Sequence, residues 1–98
     1  MKINTIEKHF TTLFLQDLRK KAGNTFFSVE FFKKDGTYRK LKGRFGVAKD
    51  LKGRGLGYDP LDHGLLNVWD VEAKGYRMIR VANIERMKVR GITYDFGA

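Results

Sequence analysis

The residues able to do chemistry in this chain are few and unevenly spread. Asp59, Asp62 and His63 lie close enough in sequence for two carboxylates and an imidazole to share a metal ion. Pro60 sits inside the group, and a capped turn accounts for the same residues without a metal. Gly53-Arg54-Gly55-Leu56-Gly57 carries the glycine spacing of a phosphate-binding run. A dinucleotide fingerprint needs a preceding strand, a following helix and a βαβ frame. None is predicted here, so the run reads as a flexible loop. His9 stands apart in a helical segment. The chain has no cysteine, which excludes disulfides, thiolate metal sites and cysteine nucleophiles. No nucleophile is paired with a base, so the expectation is a protein that is not an enzyme and uses neither cofactor nor metal.

What remains is charge. Twenty Lys and Arg against eleven Asp and Glu leave +9 on 98 residues, a field that attracts polyanions. The excess is segmental. Lys33 to Arg54 holds nine cations and two anions, and Lys74 to Arg90 six cations and one anion. Asp59, Asp62, Asp70 and Glu72 separate the two stretches. Arg39, Lys40, Lys42, Arg44, Lys49, Lys52 and Arg54 are the candidate contacts to a phosphate backbone, where each neutralised phosphate releases counterions. Gly53 and Gly55 would let backbone amides approach phosphate. Tyr38 and Tyr58 flank the basic stretch, and with Tyr76 they are candidates for stacking on bases. Packing in the core or between strands is the alternative for all three, and Trp69 reads as mainly core. A solvated, solubilising face is the alternative for the cations.

The elements that must position these groups follow from periodicity. Ile6, Phe10, Leu13, Phe14 and Leu18 recur at offsets of three and four and predict an amphipathic helix over residues 5–22, with Leu15 off the apolar stripe. Asn4 or Thr5 is the expected N-cap and Gly23 the C-terminal stop. Beyond Gly23 the period becomes two. Strands are expected at Thr25–Lys33 and Thr37–Phe45, joined by the Lys34-Asp35-Gly36 turn, with Tyr38, Lys40, Lys42 and Arg44 sharing one face. A long glycine-rich loop spans residues 46–64. Further strands are expected at Leu65–Val71, Tyr76–Val81 and, after a single 3₁₀ turn, Arg86–Arg90, with Phe27, Val29, Phe31, Leu41, Val68 and Ile79 in the core. Gly91–Ala98 is a tail without a clear partner.

One helix followed by five short strands predicts an α+β, mainly β fold. The N-terminal helix would precede a small five-stranded antiparallel Sm/SH3-like barrel over residues 25–90, within one domain of residues 1–98. Closing a bent sheet would remove its exposed edges. No run is long and apolar enough for a transmembrane helix, and Glu7, His9 and Asp17 interrupt what would be a signal peptide. A cytoplasmic protein is expected.

Several segments carry a resemblance. They are Val29–Arg39 with its Lys33-Lys34-Asp35-Gly36-Thr37 hairpin, Gly43–Val47, Leu56–Pro60, Leu65–Asp70 and Gly75-Tyr76-Arg77-Met78-Ile79. Together, over roughly residues 25–90, the chain resembles small phage proteins described as WYL-like or SH3-barrel-fold. The resemblance implies an Sm-like barrel and a phage origin. The broader class is associated with nucleic acids or nucleotide-like ligands, and the matched positions are Trp69, Tyr76 and Arg77. Arg77 thereby joins the candidate contacts.

Two functions of different classes fit. The first is a nucleic-acid-binding protein, for DNA or RNA, that contacts phosphate through the basic hairpin and glycine-rich loop. The second is an interaction protein that binds and modulates a host protein through an acidic surface on that partner. The helix serves as a lid on the barrel in one reading and as a docking element in the other.

Overall fold

More and less buried positions alternate over residues 26–32, 38–45 and 65–70, and the chain there folds into strands. The computed structural model describes residues 2–23, 25–45 and 60–96. Its strands are β1 (Lys2–Thr5), β2 (Phe26–Phe32), β3 (Tyr38–Phe45), β4 (Leu65–Asp70), β5 (Gly75–Arg80), β6 (Ile84–Val89) and β7 (Ile92–Asp95). Helix α1 (Thr11–Ala22) follows a 3₁₀ turn at Lys8–Phe10, and further 3₁₀ turns occupy Pro60–His63 and Val81–Asn83.

The five expected strands are present, but the sheet has seven. Its order is β1-β7-β6-β2-β3-β4-β5. The two additional strands come from the chain ends, β1 from residues assigned in part to the helix and β7 from the stretch expected to be a tail. They pair with each other in parallel, and Ile6 N–H donates to the Asp95 carbonyl at 2.8 Å. That pairing commits the backbone near residue 5 to the sheet, so the helix begins at Thr11 instead. Among the described residues no ladder joins the edge strands β1 and β5. The sheet is unclosed, where the sequence predicts a closed barrel. Among the described residues β3 pairs with β4 through Gly43–Phe45.

All six expected core residues are buried on the inner face, together with Phe45, Leu66, Ile84, Met87 and Phe96. Helix α1 covers part of that face. Phe14 packs on Tyr94 and Phe96, with ring centroids 4.7 Å and 5.7 Å apart. Starting the helix at Thr11 also turns its buried face. Thr11, Leu15 and Ala22 point inward, and Leu15 is 0% exposed although it lies off the predicted stripe. Phe10 and Leu13, which belong to that stripe, are 48% and 63% exposed.

Candidate nucleic-acid interface

Residues directly opposite each other in a ladder share a face, so the registers of β2, β3 and β6 determine which cations stand together. Phe27, Val29 and Phe31 of β2 and Leu41, Gly43 and Phe45 of β3 point inward. The alternate positions, Tyr38, Lys40, Lys42 and Arg44, point outward, on one face as the sequence predicts. Ser28 of β2 pairs with Lys42 on one side and Lys88 on the other. Glu30 pairs likewise with Lys40 and Arg86. The result is a grid of cations about 6–7 Å apart along a strand and about 10 Å apart across β2. Arg86 approaches Asp95 at 3.4 Å, whereas Lys40, Lys42 and Lys88 make no ion pair among the described residues.

Aromatic rings border this grid at both ends. At one end the register runs Phe26–Arg44–Trp69–Tyr76. The Arg44 guanidinium lies 5.5 Å from the Trp69 ring centroid, and Trp69 meets Tyr76 edge-on at 5.0 Å. Trp69 is therefore a half-buried residue of the outer face rather than the core residue expected, because its parity in β4 is opposite to that of Leu66, Val68 and Asp70. At the other end Phe32 and Tyr38 pack edge-on at 5.0 Å, and the Tyr38 hydroxyl donates to Glu30 Oε1. That bond, assisted by partial burial and the Glu30 charge, pushes the Tyr38 phenol up to about 12.

Arg39 and Arg77 do not join this face. Arg39 has the parity of Leu41, and Arg77 pairs with Val68, so both lie toward the inner side and converge on Asp70. Asp70 Oδ2 accepts from Arg77 Nε at 2.7 Å and lies 3.6 Å from Arg39 Nη2. Its Oδ1 accepts the Glu72 and Ala73 N–H groups at 3.0 Å and 3.2 Å. Lys49, Lys52, Arg54 and Tyr58 lie outside the described residues, as does Asp59 of the metal alternative. Asp62 of that group accepts a hydrogen bond from Gln16 Nε2 at 3.1 Å.

Residues 15–85 match the WYL_2 family, described as an Sm-like SH3 beta-barrel fold. The chain belongs to the WYL_2 family. No curated protein and no solved structure matches it significantly.

The WYL_2 region begins within α1 and ends in β6. It includes the outer cations of β3 and the Asp70 cluster, and leaves out β1, β7 and Lys88. Two residues of the site escaped sequence reasoning. Lys88 becomes visible only when β6 is set beside β2, a long-range pairing that no local pattern announces. Asp70 had a signal, because it shares parity with Leu66 and Val68. A carboxylate in phase with two core residues points to a buried partner.

Proposed function

We propose that this WYL_2 protein binds the phosphate backbone of a nucleic acid on the outer face of its sheet. The observation that carries the reading is the register placing Lys42 and Lys88 on either side of Ser28, with Lys40 and Arg44 in adjoining rows. Long cationic side chains on a rigid sheet meet phosphates without an ordering loop, and contacts of this kind position a protein without reading sequence. Phe26, Trp69 and Tyr76 at the end of the grid offer apolar surface on which unpaired bases can stack. A phage origin and action in the host cytoplasm belong to the same reading.

The test is fluorescence anisotropy with labelled single- and double-stranded DNA and RNA. Reversing Lys42 and Lys88 to Glu should weaken binding to all sequences alike, with the thermal unfolding of the protein little changed. No binding to any of the four probes at low salt overturns the reading. The exposed Phe10 and Leu13 of the N-terminal segment favour a second reading, in which a host protein docks there. Recovery of one host protein from nuclease-treated lysate, lost on Leu13→Ser, would support it.

A further inference from the structure

A cleft of about 450 Å³ opens between the β2–β3 hairpin and β5. The ladders explain the opening. Among the described residues the end of β2 and the start of β3 pair with no residue of β5. Lys33, Lys34, Arg39, Arg77 and Arg80 line the space, and among the described residues no carboxylate does. A volume of this size accepts a small organic molecule.

Two of the five cations are held in place. Asp70, buried behind the cleft, binds Arg77 through Nε and stands close to Arg39, so one carboxylate serves two guanidinium groups and leaves a positive excess. The terminal nitrogens of Arg77 have no partner among the described residues. A guanidinium anchored through Nε, with its outer N–H groups turned free, is pre-organised for phosphate oxygens. Lys33, Lys34 and Arg80 make no ion pair among the described residues.

The remaining wall is apolar. Phe31 and Ile79 belong to the buried core, while Phe32 and Met78 are exposed at the rim. Inorganic phosphate would leave this surface unused. We propose that the cleft binds a small organic phosphate with an aromatic or otherwise apolar body. Arg77 and Arg39 take the phosphate oxygens, Lys34 and Arg80 add charge at the rim, and Phe32 and Met78 cover the body. The site meets the outer face at Phe32 but shares none of the cations proposed to bind nucleic acid there.

The test is an NMR titration of the ¹⁵N-labelled full chain with phenyl phosphate, inorganic phosphate and phenol. Phenyl phosphate should produce saturable shifts at Arg77 Nε–Hε and at the Phe32 and Met78 amides. Inorganic phosphate should bind at least about tenfold more weakly, because it buries no apolar surface, and phenol should not bind at the same concentrations. Lys34→Glu combined with Arg80→Glu should weaken phenyl phosphate about tenfold or more, as loss of charge-assisted contacts implies. Lys42→Glu on the outer face should leave it unchanged. Shifts that do not saturate, equal affinity for inorganic phosphate, or an equal loss from Lys42→Glu would each overturn the proposal. The salt slope of oligonucleotide binding in the Lys34/Arg80 variant should match the parent, so the two sites fail or succeed separately.

Discussion

A carboxylate with 1% of its surface exposed must recover within the protein the hydration it loses. At Asp70, burial pushes the carboxyl pKa up. The Ala73 N–H, the Arg77 guanidinium and the Glu72 N–H together outweigh that push and leave it below the ordinary value of 3.8. The consequence for stability has a definite sign. As pH falls, the unfolded chain takes up this proton before the folded one. Ionised Asp70 therefore stabilises the fold fully above the unfolded value near 3.8, and the contribution is lost as pH falls through the lower folded value. Asp70→Asn should cost about 1–3 kcal/mol at neutral pH, since it turns amide donors toward donors already present. It should also shrink the loss of stability on acidification. Urea unfolding between pH 7 and pH 2 measures both, and an unchanged acid limb in the variant would remove Asp70 from the account.

At the level of elements, the contact between β3 and β4 depends on a missing side chain. A Cβ on Gly43 would run into the Trp69 carbonyl oxygen and stand 2.6 Å from Val68 Cγ1. Backbone cannot swing aside as a side chain can, so Gly43→Ala should cost about 3 kcal/mol, the upper part of the usual overpacking range. Phe96 makes the complementary case. It follows β7, is fully buried, and its N–H donates to the Glu85 carbonyl at 2.9 Å. Phe96→Ala should cost about 3–5 kcal/mol, and a variant that unfolds like the parent would mean that the C-terminal segment is dispensable. Phe96 drew no notice in the sequence, which offered the C-terminal segment no partner. β1 and β7 are four residues each, too short to show a period, and their parallel pairing joins opposite ends of the chain. The β6–β7 hairpin turns through Arg90 and Gly91, at φ 51° and 79°, a conformation usually announced by Asn-Gly or Asp-Gly; arginine in the first position hides it. Long alternating segments were legible because parity alone set their inner and outer faces. The same parity placed Lys40, Lys42 and Arg44 together and, read one residue further, sets Arg39 apart from them. The rotated face of α1 was not legible, because it depends on where β1 releases the chain.

For the molecule as a whole, the net charge is +9, and the sheet presents part of the positive excess on two surfaces with different geometry that salt dependence separates. The outer face offers a spread of cations suited to an extended polyanion, and the cleft offers a pocket suited to a small one. If Lys40, Lys42, Arg44 and Lys88 each neutralise one phosphate, the logarithm of affinity should fall against the logarithm of salt concentration with a slope of about −3.6 for duplex and about −2.8 for single strands. Reversing Lys42 and Lys88 removes two of the four contacts and should bring the duplex slope to about −1.8 or shallower. The slope is a sharper measure than affinity at one salt concentration. A general loss of positive field weakens binding, whereas a changed slope reports how many phosphates are engaged. A duplex slope that stays near −3.6 in the variant would place the contacts elsewhere in the chain, in the basic stretch that includes Lys49, Lys52 and Arg54. Equal slopes for the parent and the Lys34/Arg80 variant would show that the long polyanion does not enter the cleft. That result would leave the cleft free to hold its own ligand while nucleic acid occupies the outer face.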